Sequence, residues 1–274
     1  MKIGIIGTGN MGRILAEGML CGKAVSPSSM VITNRTLSKA LELQAAYRGI
    51  TVSPSPADVA KHSDAVFVCV KPHDVYHVLL DISRFLSADQ CVISITSPIS
   101  VEQLGKVVPC SVARAIPSIT NRALAGVSLL TFGENCEEHW KKQLFHLFSA
   151  FSVPVEIEEG ITRAASDIVS CGPAFFTYLV RRFISAAVKE TGISEDTATK
   201  LSSEMLVGLG ELLKKSYYTL PALQEKVCVK GGITGEGIKV LEAELGEVFE
   251  HLFQATHLKF EEDLVKINSQ FGNH

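Results

Sequence analysis

Two glycine-rich stretches carry the residue types most directly linked to chemistry in this chain. The first runs from Gly7 to Gly12 (GTGNMG), after a short apolar run, and opens a helical pattern that continues to Leu20. A strand, a glycine-rich turn and a helix in this order place a dinucleotide pyrophosphate on the unpaired N–H groups of a helix N-terminus. Gly7 permits the tight turn, Gly9 the approach of the backbone, and Gly12 close packing of helix on strand. The cofactor contacts expected from this stretch are made by Gly7, Thr8, Gly9, Asn10, Met11 and Gly12.

The second stretch is Val227–Glu242 (VCVKGGITGEGIKVLE). Its glycine pair, Gly231 and Gly232, lets backbone run close to a ligand, and Thr234 follows at the start of an amphipathic run. A helix start of this kind suits a carboxylate or phosphate, because its N–H groups and partial positive charge point outward. The same pattern also occurs in ordinary loop-to-helix joints, in which Thr234 would serve only as a helix N-cap.

The residues after the second predicted strand bear on which nicotinamide cofactor would bind. The strand 30–33 is followed by Asn34, Arg35 and Thr36, and no acidic residue occurs before Glu42. An acidic residue at this point binds the ribose 2′-hydroxyl of NADH, whereas an arginine accommodates the 2′-phosphate of NADPH. We therefore expect Asn34 and Arg35 to contact the cofactor, and NADPH to be preferred over NADH. The alternative is a loop arginine that lies in solvent.

Strand and helix patterns alternate over the first half of the chain. The strand-like runs are 2–7, 30–33, 65–70, 91–96, 111–116, 127–132 and 153–157. Further helical patterns cover 39–48, 57–61, 75–85, 101–107 and 137–150. This alternation predicts a doubly wound, mostly parallel Rossmann sheet, whose ligand lies outside the carboxyl ends of the strands. The turns expected to gather around that crevice are those at Gly7, Asn34, Lys71, Ser97 and Pro117.

The second half of the chain is predicted to be helical. Amphipathic patterns cover 161–191, 194–215, 220–226 and 235–270, and Pro173 is expected to kink or break the first of them. We place the boundary near Gly160, which gives a Rossmann domain at 1–159 and an all-helical domain at 160–274. Hydrophobic residues make up 46% of the chain and charged residues only 20%. This excess indicates either a buried oligomer interface or a large internal core.

Composition argues against several classes of partner. The net charge of −3 and the lack of a basic cluster exclude a general attraction to nucleic acid or anionic lipid. The weakly polar run 168–180 is too short to span a bilayer, and the chain starts directly with a strand pattern, so a cytoplasmic protein is expected. The cysteines form no CxxC pair and the histidines lack metal-ligand spacing, so neither disulfides nor a metal are predicted. Cys171 has no adjacent base or cation, which favours a packing role over a reactive thiol.

Five segments occur in a specific order: GTGNMG at 7–12, NRT at 34–36, VKPH at 70–73, SCGPAF at 170–175 and V-x-x-x-GG-x-T at 227–234. Together they make the chain resemble the pyrroline-5-carboxylate reductases along nearly its full length. The resemblance implies an N-terminal Rossmann domain and a helical C-terminal domain that interleaves with a partner's, and hence at least a homodimer. It also implies NAD(P)H-dependent reduction of a cyclic imine carboxylate, pyrroline-5-carboxylate, to L-proline.

The same resemblance assigns roles to individual residues. The N–H groups of Gly232, Ile233 and Thr234, after Gly231, would hold the substrate carboxylate, and the Thr234 hydroxyl would donate to the imine nitrogen. Lys71 has two interpretations: its backbone lines the nicotinamide ribose and its ammonium attracts the substrate, or it is a solvated lysine at a strand end. The further cofactor contacts that the resemblance implies are Val70, Lys71, Pro72 and Pro117.

The chain departs from the family pattern around both substrate segments. Where family members usually read SPGGTT, this chain has VKGGIT at 229–234, and the family's MPNTP is IPSIT at 116–120. An asparagine often found near the cofactor is Pro56 here. These changes leave the identity of the substrate open. Lys230 adds a cation beside the predicted anion site and either favours a substrate with a further negative charge or is a surface residue.

Two alternatives stand beside the imine reductase. The 3-hydroxyacid dehydrogenases share the two-domain plan but commonly use a lysine early in the long helix as a base, and no lysine occurs from Ile161 to Val188. The second alternative is a catalytically weak or inactive NADPH-binding regulatory protein, derived from the reductases and connected with a process such as competence development rather than proline synthesis. Such drift is possible in principle because fold alone does not settle function.

Overall fold

The computed structural model describes residues 1–272. Its centre is one sheet of eight strands, in the spatial order β3-β2-β1-β4-β5-β6-β7-β8. The strands are β1 (Ile3–Ile6), β2 (Met30–Thr33), β3 (Thr51–Val52), β4 (Ala65–Val68), β5 (Cys91–Ser94), β6 (Ser111–Ile116), β7 (Val127–Phe132) and β8 (Val153–Glu156). All neighbouring strands run parallel except β6 and β7, which are antiparallel. The predicted doubly wound, mostly parallel sheet is confirmed, and of its strands only the two-residue β3 was not predicted.

Both faces of the sheet are covered, which explains why β1 and β4 at its centre are apolar at every position rather than alternating. In β4, Ala65 and Phe67 belong to one buried cluster, and Val66 and Val68 belong to a second cluster on the opposite face. The first face is covered by α1 (Asn10–Cys21), α2 (Leu37–Ala46) and α6 (Glu138–Ser149). The second is covered by α3 (Pro56–Lys61), α4 (Pro72–Ser83) and α5 (Val101–Gly105). Because the strands from β3 to β6 in the sheet order run parallel, their carboxyl ends meet at one edge of the sheet.

The remaining helices follow β8. They are α7 (Thr162–Ser166), α8 (Gly172–Thr191), α9 (Glu195–Lys214), α10 (Leu220–Val227), α11 (Ile233–Glu244) and α12 (Val248–Phe271). A π-helical turn, Asp167–Cys171, joins α7 to α8 immediately before Pro173, where a break was expected. No helix within residues 1–272 is long and apolar enough to cross a membrane.

One long helix predicted over 235–270 is instead two helices. Gly246 has φ +48°, a left-handed conformation that glycine adopts without the cost of a Cβ atom and that commonly ends a helix. The chain then starts again as α12 at Val248. The segment ELGE at 244–247 contains the signal, a glycine directly after a helical pattern, that the prediction of a single helix overlooked.

The chain divides into two compact units. The first contains Met1–Pro173 together with the residues from Ala255 onward, and the second contains Ala174–Gln254. In the first unit, Ile267 and Phe271 of α12 pack into the cluster on the second face of the sheet. The end of the chain is therefore part of the unit that contains the sheet. The expected domain boundary at residues 159 and 160 is not tested by this grouping and stays a prediction.

Candidate active site

The turn between β1 and α1 requires two of its three glycines for the protein's own packing. Gly7 has φ +103°, and a Cβ atom there would lie 2.5 Å from the carbonyl oxygen of Cys69. A Cβ atom at Gly12 would overlap the Gly7 carbonyl oxygen. Because real Cβ atoms do not approach backbone this closely, any side chain at either position would force the turn apart.

The middle glycine is different, since nothing in the protein requires it. A Cβ atom at Gly9 would meet no heavy atom within 4 Å, and the residue has φ −69°, which any amino acid adopts. Beside it, the hydroxyl oxygen of Thr8 is buried and has no hydrogen-bond partner among the described residues. The turn thus leaves open space, an unused buried hydroxyl and the free N–H groups of Asn10, Met11 and Gly12 at the start of α1. These features fit a dinucleotide pyrophosphate.

Asn34 connects this turn to the end of β2. Its Oδ1 accepts a hydrogen bond from the Thr8 backbone N–H at 2.9 Å, and its Nδ2 donates to the Thr36 carbonyl at 2.9 Å. The Asn34 side chain is therefore engaged within the protein and holds the two turns together. Arg35, by contrast, keeps 86% of its side chain exposed, and its Nη1 lies 3.8 Å from Asp74 Oδ2.

The turn after β4 lies next to the glycine-rich turn, because β4 pairs with β1 at the point where the strand order reverses. Lys71 is the N-cap of α4, with an exposed side chain, and Pro72 is the first helical residue, where its missing N–H and fixed φ are tolerated. Val70 contacts the glycine turn: a Cβ atom at Gly7 would lie 3.2 Å from its Cγ1. The structure therefore brings the segments 7–12 and 70–72 together.

The turn after β6 is held by the π-helical turn. Ser170 Oγ donates to the Pro117 carbonyl at 2.9 Å, and Ser118 Oγ donates to the Val169 carbonyl at 2.8 Å. These reciprocal bonds place Pro117, an expected cofactor contact, directly beside the segment SCGPAF. π-Helical turns are rare and occur frequently at functional sites.

A buried carboxylate supports the same turn. Asp167 is 1% exposed, accepts from Arg163 Nη2 at 2.8 Å, and also accepts from Thr256 Oγ1 of α12 at 2.7 Å. The same Arg163 nitrogen lies 3.5 Å from Cys171 Sγ, so the expectation that no cation is near this thiol is wrong. Burial nevertheless outweighs the arginine and raises the pKa of Cys171, which keeps the thiol protonated.

The second glycine-rich stretch forms the start of α11. Gly231 has φ +76°, and Gly232 is the N-cap residue, with no side chain capping the helix. The alternative that made Thr234 the N-cap is therefore wrong: Thr234 lies in the first turn of α11, with an exposed side chain. The Gly232 N–H donates to the Val229 carbonyl at 2.9 Å, so the free N–H groups at this end belong to Ile233, Thr234 and Gly235.

The expected site residues fall into both compact units. Gly7 to Gly12, Asn34, Arg35, Val70 to Pro72 and Pro117 belong to the first unit, and Lys230 to Thr234 belong to the second. Within the second unit, Lys230 is exposed and Ile233 is 93% exposed, so the surface around Thr234 is open and carries a cation and an apolar side chain.

Comparisons with known proteins bear on the identity of the chain. Residues 2–98 match the family model described as NADP oxidoreductase, coenzyme F420-dependent, and residues 159–263 match that for pyrroline-5-carboxylate reductase dimerisation. The chain is 55% identical over 271 residues to ComE operon protein 4 of Bacillus subtilis (strain 168), covering 99% of each chain. It is 28% identical to pyrroline-5-carboxylate reductase 3 of the same organism, covering 95% of this chain and 96% of the relative. The chain belongs to the pyrroline-5-carboxylate reductase family.

Solved structures of family members share the fold. The pyrroline carboxylate reductase of Plasmodium falciparum, solved with NADP bound, has a TM-score of 0.81 at 23% identity and covers 99% of this chain and 98% of its own. The pyrroline-5-carboxylate reductase of Coxiella burnetii has a TM-score of 0.83 at 22% identity, with 98% of each chain covered. The Rossmann-like unit followed by a helical C-terminal region is thus the fold of this family.

Sequence reasoning missed three residues that the fold places among those expected at this site. Asp74 lies beside Arg35, although it is distant in sequence, and Asp167 and Thr256 support the π-helical turn. The sequence signal for Asp167 was an aspartate among the small and apolar residues of a predicted helix, since a carboxylate that becomes buried there needs partners. No sequence signal identified Thr256 as that partner.

Proposed function

We propose that this protein is an NADPH-preferring reductase of a cyclic imine carboxylate of the pyrroline-5-carboxylate type. The observation that carries the proposal is the glycine-rich turn, in which Gly7 and Gly12 are needed by the chain itself while Gly9 and the Thr8 hydroxyl are left for a ligand. Family membership then supplies the class of reaction, because the retained Thr234 occupies the first turn of α11.

In this proposal, a bound NADPH supplies the hydride that reduces the C=N bond. Asn10, Met11 and Gly12 bind its pyrophosphate through their N–H groups, and Arg35 binds its 2′-phosphate. Val70, Lys71, Pro72 and Pro117 line the position of the nicotinamide riboside. The hydrogen bonds from the Thr8 N–H to Asn34 Oδ1 and from Ser170 Oγ to the Pro117 carbonyl keep these turns in place.

The second stretch binds the substrate. The N–H groups of Ile233 and Thr234 hold the carboxylate, aided by the helix dipole. The left-handed conformation of Gly231 and the N-cap position of Gly232 orient these N–H groups. The Thr234 hydroxyl donates a hydrogen bond to the imine nitrogen, which makes the carbon a better hydride acceptor. Lys71 adds a positive charge that attracts the carboxylate. Lys230 favours a substrate with a further negative charge.

We also propose that the protein is a homodimer assembled through its C-terminal helices. Within the second compact unit, many large apolar side chains are exposed, and only Ile184, Ala198 and Ser202 are buried. Exposed apolar surface of this extent marks an interaction site. The residues concerned include Phe176, Tyr178, Phe183, Leu201, Met205, Val207, Leu220, Val240 and Val248. Light scattering of the purified protein tests this, and a monomeric mass would contradict it.

The deciding experiment measures NADPH oxidation with pyrroline-5-carboxylate in the wild type and in Thr234→Ala. The substitution should lower kcat/KM by about 10²–10³, because one preorganised donor is lost, and leave the Kd for NADPH unchanged. Thr219→Ala is the matched control, since Thr219 is a threonine at another helix start whose hydroxyl caps α10. Its loss should cost about 1 kcal/mol of stability without affecting turnover.

The same assay includes a cyclic imine that carries a second carboxylate. Equal turnover of the two substrates would leave Lys230 a surface residue. Unchanged activity in Thr234→Ala would remove Thr234 from the mechanism. Tight NADPH binding without turnover of either imine would instead favour the regulatory protein, a reading consistent with the apolar, exposed Ile119 and Ile233 in the two altered segments.

A further inference from the structure

The fold places a carboxylate next to the arginine that is proposed to bind the 2′-phosphate. Arg35 follows β2, and Asp74 lies in the first turn of α4, after β4. Because β2 and β4 both pair with β1, the turns that follow them flank the glycine-rich turn on its two sides. Asp74 Oδ2 lies 3.8 Å from Arg35 Nη1 as a result. No acidic residue follows β2 closely in the sequence, but the structure supplies one from a neighbouring turn.

Asp74 has a defined position and favourable electrostatic surroundings. It lies at the start of a helix, where the dipole favours a negative charge, and its backbone N–H donates to the Lys71 carbonyl at 2.9 Å. Its second carboxylate oxygen lies 3.5 Å from His73 Nε2. About one third of the Asp74 side chain is exposed, whereas the Arg35 side chain is almost fully exposed. The arginine is therefore the mobile member of the pair.

We propose that Asp74 sets how strongly this site prefers NADPH over NADH. The inference rests on the proposed cofactor site. In the free protein Asp74 pairs with Arg35, and a 2′-phosphate must draw the guanidinium away from this carboxylate and also tolerate its negative charge. A ribose 2′-hydroxyl carries no charge, so it neither displaces the guanidinium nor is repelled by the carboxylate. Asp74 therefore weakens the binding of the phosphorylated cofactor selectively.

The experiment uses cofactor fragments, so that it does not depend on imine reduction. Isothermal titration calorimetry compares 2′,5′-ADP with 5′-AMP on the full-length wild type, Asp74→Asn, Arg35→Gln and the double variant. Asp74→Asn should increase the affinity for 2′,5′-ADP about three- to tenfold, the range for removing one exposed ion pair and one like charge nearby. The affinity for 5′-AMP should not change. The gain should shrink at high salt, since the groups are exposed.

Two controls isolate the pair. Asp81→Asn removes the same charge from an exposed position two turns further along α4 and should change neither affinity. In the Arg35→Gln background, the gain from Asp74→Asn in 2′,5′-ADP affinity should fall to less than half, because the arginine no longer has to be released.

The outcomes separate the inference from the proposed function. Equal changes for both fragments, no change in Asp74→Asn, or the same gain in Asp81→Asn would overturn the role of Asp74 while leaving the cofactor site intact. Failure of the wild type to bind either fragment would overturn both the cofactor site and the inference. A selective gain that depends on Arg35 would establish Asp74 as a determinant of cofactor specificity.

Discussion

Replacement of Gly9 by alanine tests the cofactor site without disturbing the fold. A Cβ atom at Gly9 meets nothing within 4 Å, and the backbone angles there suit alanine. The substitution should therefore keep the stability of the apo protein within about 1 kcal/mol of the wild type, because the restriction of the unfolded chain by alanine is offset by its lower preference for the N-cap position of α1. For a chain of this size such a difference shifts Tm by no more than roughly 4 °C in either direction.

Cofactor binding should weaken instead. The methyl group would project into the space assigned to the pyrophosphate and hold the cofactor away from the N–H groups of α1. A loss of about 1.4–3 kcal/mol, typical for a disrupted charged hydrogen bond, corresponds to a roughly 10- to 150-fold rise in the Kd for NADPH. The assay is fluorescence titration with NADPH, together with the Tm measured with and without NADPH.

Gly12→Ala is the internal comparison, because its Cβ atom would overlap the Gly7 carbonyl oxygen. This variant should lose about 1–3 kcal/mol of stability before any ligand is added, as expected for overpacking. The reasoning is refuted if Gly9→Ala binds NADPH as the wild type does, or if its apo Tm falls as far as that of Gly12→Ala.

Two further predictions concern groups outside the glycine-rich turn. The Arg114 side chain is fully buried and forms a bidentate pair with half-exposed Glu159, at 2.7 and 2.9 Å. Glu159→Ala should cost about 1.5–3 kcal/mol of stability in urea unfolding, because the guanidinium loses its charged hydrogen bonds but keeps those to Thr131 and Thr162. Exposed Glu158→Ala should have little effect. The raised pKa of Cys171 means that less of its thiolate is present at pH 8 than for an ordinary thiol, so its alkylation should be slow and should accelerate as the pH rises. Arg163→Met should slow the alkylation of Cys171 further, because the arginine lowers the pKa of this thiol. Peptide mass spectrometry after treatment with iodoacetamide measures the alkylation rate in the wild type and the variant. Faster alkylation in Arg163→Met would contradict this effect of the arginine.

Elements with a strong local pattern were predictable from the sequence. The strands 30–33, 111–116 and 127–132 have the bounds that their apolar runs indicated, and α1 starts within the glycine-rich turn. These features depend on the period of hydrophobic residues and on backbone restrictions at single glycines, both of which can be read within a short window. The sheet topology followed from the alternation of strands and helices.

The first residue of α11 was not predicted correctly from the local sequence. Thr234 is a favourable N-cap residue type, yet Gly232 takes that position, because its backbone N–H closes a turn onto the Val229 carbonyl. Propensity predicted that a helix starts here but misplaced its first residue by two positions. The residue at which a helix starts depends on individual hydrogen bonds. A propensity ranks residue types for that position but does not determine which residue occupies it.

The sequence by itself determined the glycine-rich turn, the doubly wound sheet and the helical second half of this protein. Only the tertiary structure decided that Asp74 lies beside Arg35, that Thr256 binds Asp167, and that Ser170 holds Pro117. The reason is physical: local structure follows from the preferences of adjacent residues. Which distant side chains meet depends on the order in which the strands pair and on where each turn and helix directs the chain.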